Sequence, residues 1–248
     1  LLLADLKGCK FSGYGLAWAA PSLAAGPSNG TNCQEFTMLE LKDFFHLPQL
    51  DALVEQLVAD GPGLIVVAGL DPRPPLQSTG LDDFLPSGRS TVFRILIRHF
   101  LTTHPTARTI VVTESKDVIR VPRQLWDRVK ISVVRSSSDY AERIREAIRR
   151  QPELLVIDRL CLKSAAPTLE AAQSGLRVLS QLDTVFRGAD IARALVDLGV
   201  PHEWLGSLSW IVAVQRLATL CSQCKQAVPP TPSQLAELQR RYPQLVNL

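Results

Sequence analysis

The stretch GLIVVAGLDPRPPLQSTGLDDFLPSGRSTVFRILIRHF (residues 63–100) joins two unlike patterns. Leu64 to Ala68 is an unbroken apolar run ending in Gly69, which suits a strand buried on both faces. Pro72, Pro74 and Pro75 then impose a detour that can be neither strand nor helix. Ser87, Gly88, Arg89, Ser90 and Thr91 follow as a small polar turn. From Val92 the apolar residues recur at helical spacing, with Ser90 or Thr91 near the helix start. A buried strand, a glycine, a loop and a capped helix is the order in which phosphate-binding loops are built.

The same alternation extends outward in both directions. Leu50, Leu53, Val54, Leu57 and Val58 predict a helix before the strand, with Gly61 as its stop. ARTIVVTES (107–115) reads as a second buried strand, and DVIRVP (117–122) and RVKISVV (128–134) as short strands near an edge. SSDYAERIREAIRRQ (137–151) is a helix capped by Ser or Asp, with Ile144 and Ile148 inward. PELLVIDRL (152–160) is a third buried strand. PTLEAAQSG (167–175) is a small-residue helix stopping at Gly175, and LRVLSQL (176–182) is a fourth strand. GADIARALVDLG (188–199) and HEWLGSLSWIVAVQRL (202–217) are expected to be helices. The expected class is α/β, a mainly parallel sheet with helices on both faces. Ligands of such sheets bind beyond the carboxyl ends of the strands.

Composition bounds the function. The 248 residues suit one large domain, alone or with a small appendage, and 46% apolar residues supply its core. A net charge of +3 and 6% aromatic residues argue against nucleic-acid binding. Five scattered cysteines, an odd number, make a poor disulfide framework and fit a reducing compartment. No apolar run is long enough to cross a bilayer, and the opening residues lack a signal pattern, so a cytoplasmic protein is expected. Leu1 rather than methionine opens the chain, which reads as a fragment of something longer. Residues 1–40 read as a linker or the remnant of a preceding domain, 41–220 as the α/β domain, and 221–248 as a C-terminal extension.

In this order the segments resemble the C-terminal motor domain of the type II secretion and type IV pilus assembly ATPases, from about Leu41 to Lys225. LPQLDALVEQLVADGPGLIVVAG (47–69) is similar to the helix and strand leading into that family's phosphate loop. YAERIREAIRRQPELLVID (140–158) is similar to its arginine-bearing helix and the next strand. LEAAQSGLRVLSQLDT (169–184) is similar to its small-residue helix and histidine-box strand. LGVPHEWLGSLSWIVAVQRLATLCSQC (198–224), with QRL and then LCxxC, is the strongest match. The resemblance implies a RecA-like P-loop NTPase-type fold, hexameric rings, and work on pseudopilin or pilin.

Tested box by box, the chemistry is altered. A P-loop places four residues between its first glycine and Gly-Lys-Ser/Thr. Here Gly69 and Gly88 are separated by eighteen residues, Leu70 to Ser87, and Arg89 stands at the lysine position. Arg89 keeps the charge as a planar fork rather than a compact ammonium. Gly69, Gly88, Arg89, Ser90 and Thr91 are thus a degenerate nucleotide-binding set; the alternative is a surface loop over a capped helix. Glu114 fits the first acidic-box position, followed by Ser115 and Lys116 where the family has a carboxylate and a proline. Read alone, Asp158 after four apolar residues fits a magnesium-holding aspartate. In the family register Asp158 falls on a glycine and Arg159 on the essential glutamate, and arginine cannot accept a hydrogen bond from water. Glu114 and Asp158 are the catalytic candidates, against solvated or strand-end polar roles. Leu176 and Asp183 stand where the family has histidines.

Cys221 and Cys224 form one CxxC with no later Cys or His, so zinc needs ligands supplied elsewhere. Arg145 and Arg149 are the arginines that transfer to subunit or nucleotide contacts, while Arg143 and Arg150 read equally as a solvated basic face. Phosphoryl transfer depends on positioning and charge stabilisation, so losing several boxes together should leave little hydrolysis. The expectation is a degenerate secretion/pilus ATPase-like protein acting as a structural or regulatory component. Its partners would be the machinery's proteins, an active ATPase homologue or an inner-membrane platform, in a homo- or hetero-oligomer. The alternative is an active ATPase powering pseudopilin or pilin assembly with ATP and Mg²⁺ at an atypical site; a third class, nucleic-acid binding through the arginine helix, is disfavoured by charge.

Overall fold

The computed structural model of the chain describes residues 2–5, 48–59, 61–71, 87–115, 123–186, 188–215 and 231–241. DVIRVP, most of residues 1–40, and Cys221 and Cys224 lie outside them. The chain divides into two compact units, Leu1–Leu217 and Ala218–Leu248. In the second, a helix spans Pro232–Arg241.

The first unit is a seven-stranded sheet. Its strands are β1 (Leu2–Asp5), β2 (Gly63–Gly69), β3 (Thr109–Thr113), β4 (Val129–Val133), β5 (Leu154–Ile157), β6 (Arg177–Asp183) and β7 (Leu208–Ala213), in the spatial order β1-β7-β2-β6-β5-β3-β4. β1 pairs antiparallel with β7 at one edge, and every other pairing is parallel. The helices are α1 (Pro48–Ala59), α2 (Arg89–Thr103), α3 (Tyr140–Arg149), α4 (Ala165–Gln173) and α5 (Asp190–Asp197).

Side chains alternate across the sheet, so each strand feeds two cores. Ile65, Val67, Val111, Val156 and Val212 meet α1 and α2 through Val54, Leu57, Phe93, Ile97 and Leu101. Leu64, Val66, Val112, Leu155 and Ile211 meet α3, α4 and α5 through Ile144, Leu169 and Ile191. Every residue of β2, β3, β5 and β7 is buried, as continuous apolar runs require when both faces are covered. β4 lies at the other edge and is only partly buried.

One expectation needs correction. HEWLGSLSWIVAVQRL is not a helix: His202–Ser207 is a 3₁₀ turn and Leu208–Ala213 is β7. The segment around Trp210, Ile211 and Val212, aromatic and β-branched, fills a slot between β2 and β1, and burial on both faces overrides its helical spacing. The start of α2 agrees with the sequence reading. Gly88, at φ 83°, is the residue before the helix, and Ser90 and Thr91 lie within its first turn. The β2–β7 register skips Ser209, since Leu64 faces Leu208 and Ile65 faces Trp210. Gly63, at φ 137°, is required there, because a Cβ would sit 1.8 Å from the Ser209 hydroxyl.

Candidate functional site

Parallel strands bring their carboxyl ends to one edge of the sheet. Gly69, Thr113, Ile157 and Asp183 end β2, β3, β5 and β6 there. One strand, β6, separates β2 from β5, so the polar residues form two neighbouring clusters about 10 Å apart by strand spacing.

The first cluster is built on Arg89. α2 begins where the chain turns at Gly88, and the Arg89 side chain folds back beneath that turn; the residue is 9% exposed. Its NH1 donates to the Gly69 carbonyl at 2.9 Å and lies 3.0 Å from Asp183 Oδ1. Its Nε donates to Gln181 Oε1 at 3.2 Å, and its NH2 lies 3.4 Å from Asp71 Oδ2. Asp71 Oδ1 also accepts from the Ser87 amide at 2.9 Å and the Ser87 hydroxyl at 2.7 Å. The Ser90 hydroxyl donates to Asp71 Oδ2 at 3.3 Å. Of the residues singled out in the sequence, Gly69, Arg89 and Ser90 meet in this cluster, while the Thr91 amide donates to the Gly88 carbonyl within the first turn of α2.

The second cluster surrounds Asp158, which is 4% exposed. The Tyr140 hydroxyl donates to Oδ1 at 2.5 Å, and the Thr113 hydroxyl and Glu114 amide donate to Oδ2 at 2.7 Å each. Burial first, and then the Asp158 hydrogen bond and charge, push the Tyr140 phenol well above its ordinary value. Arg159 NH2 donates to Glu114 Oε1 at 2.6 Å, an ion pair at the rim of the cluster. Glu114 and Asp158 are thus neighbours, and neither joins the Arg89 cluster.

Among the described residues, four carboxylates lie along this edge: Asp71, Asp183, Glu114 and Asp158. Each is engaged by a guanidinium or by hydrogen-bond donors of the chain itself. Among the described residues, no group of three His, Cys, Asp or Glu side chains could hold a metal ion. A magnesium ion wants near-octahedral oxygen ligands from uncommitted carboxylates. This donor set does not fit one.

The α3 arginines are placed along an exposed face. Arg145 lies 3.8 Å from Glu170 of α4, Arg143 and Arg150 both pair with Glu146, and Arg149 is exposed. These are solvated pairs of small energetic weight.

Sequence reasoning missed Asp71, Gln181, Thr113 and Tyr140. Gln181 carried a signal as a polar residue inside the buried run RVLSQLD. Asp71, two residues beyond a buried strand, carried a weaker one.

The mainly parallel sheet with helices on both faces is an α/β fold of the RecA-like P-loop NTPase type. Residues 78–245 match the family described as Type II/IV secretion system protein, more than half of the chain, and the chain belongs to that family. It is 30% identical over 102 residues to the Escherichia coli (strain K12) protein titled "Putative type II secretion system protein E", across 40% of this chain and 20% of that protein. Among solved structures, the pilus retraction motor PilT with bound ADP is similar at TM-score 0.51 and 20% identity, over 84% of this chain and 59% of PilT. The ATPase DotB of Legionella pneumophila is similar at TM-score 0.47 and 22% identity, over 68% of this chain and 42% of DotB. The chain thus spans less than two thirds of each of these relatives. No described helix is long and apolar enough to cross a membrane.

Proposed function

We propose that this chain is a catalytically degenerate secretion/pilus ATPase-like protein, with weak or no ATP hydrolysis, acting as a structural or regulatory component of a type II secretion or type IV pilus system. One observation carries the reading: among the described residues, the strand-end carboxylates Asp71, Asp183, Glu114 and Asp158 are each engaged within the chain. Asp158 accepts three hydrogen bonds, and Glu114 is held by Arg159. A hydrolytic site needs carboxylates open to a metal ion or an attacking water. Arg89, at the lysine position, reaches down to Gly69 and Asp183 rather than outward. The proposed partners are proteins of the secretion or pilus machinery, an active ATPase homologue or an inner-membrane platform among them, met on the cytoplasmic side. The proposed organisation is an ATPase-type domain over 41–220, a preceding linker or remnant, and a C-terminal extension carrying Cys221 and Cys224.

Steady-state phosphate release with Mg²⁺ and ATP tests the reading. The expected rate is indistinguishable from buffer. Turnover that disappears in Asp158→Asn would establish an active ATPase with an atypical site instead.

A further inference from the structure

Among the described residues the sheet ends in β1 on one side and β4 on the other, and the two edges are guarded differently. β4 carries Lys130, exposed, within VKISV, and a charge of that kind keeps an edge strand from pairing with another chain. The sequence of β7, LSWIVA, holds no charge and no proline, and all its positions are buried. A short window of that composition pairs readily with strands of other molecules once it is uncovered. What covers it is β1, whose Leu2, Leu3, Ala4 and Asp5 run antiparallel to Ala213, Val212, Ile211 and Trp210. That cover is four residues long, and residues 6–47 separate it from α1. β1 and β7 lie far apart in sequence, so no hairpin turn ties one to the other. A terminal strand of this length belongs to the elements that open at lowest free energy.

We propose that the β7 edge is a pairing surface for a second copy of this chain and that β1 is its guard. While Leu2–Asp5 is seated the edge is closed; when it leaves, β7 of one chain pairs with β7 of another. Backbone sense selects this partner. A β7 related by a twofold axis runs antiparallel to its counterpart, the sense in which β1 already pairs, so a second copy takes the place of β1 with no change in ladder type. Charge allows it, since an uncharged strand paired with itself sets no like charges against each other. The covalent link sets the balance. β1 competes from its own chain at an effective concentration of about millimolar, so the seated strand prevails in dilute solution and its loss opens the surface. Association through β7 is independent of any nucleotide chemistry at the opposite ends of the strands' connections.

The test uses the full chain with Leu3→Pro and, separately, Ala4→Pro. Successive residues of an antiparallel strand turn their amides to opposite edges, so one substitution removes a ladder donor to β7 and the other removes an outward amide that an edge strand does without. Mass in solution is followed by sedimentation over a concentration series, with amide exchange in β7 as the second readout. The donor-removing variant is expected to rise about twofold in mass relative to wild type, with β7 amides protected in the associated form and exchanging on dilution. The other proline is expected to match wild type. Excess synthetic peptide LLLADL, the sequence of residues 1–6, should return the variant to the wild-type mass by reseating the guard. Should the donor-removing variant fail to fold, a chain lacking residues 1–5 decides in its place; unfolding of both overturns the proposal, because β1 is then part of the fold rather than its guard. Wild-type mass in both proline variants, association that the peptide leaves unchanged, or growth without limit each overturn it as well. ATP hydrolysis by the wild type would sink the functional reading alone, so the two failures are distinguishable.

Discussion

Tyr140 and Asp158 meet across eighteen residues of chain, and the contact has two consequences that can be measured. Removing the phenolic hydroxyl leaves Asp158 Oδ1 buried without its donor. Tyr140→Phe should therefore destabilise the fold by about 1–3 kcal/mol at neutral pH, read by urea unfolding. The second consequence is alkaline sensitivity. The unfolded phenol ionises near its ordinary value of about 10, whereas the folded one is held protonated well above it. Between those values the folded state binds the extra proton, so the contribution of Tyr140 to stability is fully present below about pH 10 and is lost as pH rises beyond it. Tyr140→Phe should lose this part of the alkaline decline; an unchanged slope between pH 9 and 11 would contradict the assignment. Arg89, Glu114 and Asp158 could be picked from the sequence because charge at the end of an apolar run is conspicuous. Their partners could not. Gln181 reaches Arg89 across 92 positions, and nothing local to either residue encodes the pairing.

Strand identity was legible where the apolar run was unbroken, as in GLIVVAG, ARTIVVT and ELLVI, since only two-sided burial explains such runs. Helix α3 was equally plain. Ser136 and Asp139 form a reciprocal capping box at its entrance, and Ile144 is fully buried. β7 was not legible, because its apolar segment is short and follows residues spaced like a helix. The skipped residue Ser209 and the glycine facing it are equally invisible locally. Gly63→Ala should destabilise by about 1–3 kcal/mol, from the strained φ together with the clash at Ser209. Adding Ser209→Ala should recover part of that loss and not all of it, because the backbone strain and a 3.1 Å approach to the Ser209 Cβ remain. Thermal melts of the two variants check this, and full recovery would place the whole cost in the hydroxyl.

The first unit is one sheet with two helical layers, so neither layer can lose its packing without exposing one face of strands that the other layer also covers. Leu101 packs in the α1–α2 layer and Leu169 in the opposite one, both fully buried. Leu101→Ala and Leu169→Ala should each cost about 2–5 kcal/mol. Both should shift the same cooperative transition, followed through the buried Trp210 by fluorescence. Separate transitions for the two variants would mean that the layers unfold independently.

The amino-acid order alone determined the alternation of apolar runs with helical periods, and hence a parallel α/β sheet with helices on both faces and polar residues at the strand ends. These are consequences of short-range periodicity and burial, which each segment carries in itself. Only the tertiary structure decided how the polar residues are partnered: that Arg89 turns inward, that Asp71 accepts from Ser87 beside the start of α2, and that Asp158 accepts from Tyr140, Thr113 and the Glu114 amide. Such pairings arise because buried charge must be compensated by whatever the fold brings within about 3 Å, and that neighbourhood is set by strand order rather than by adjacency along the chain.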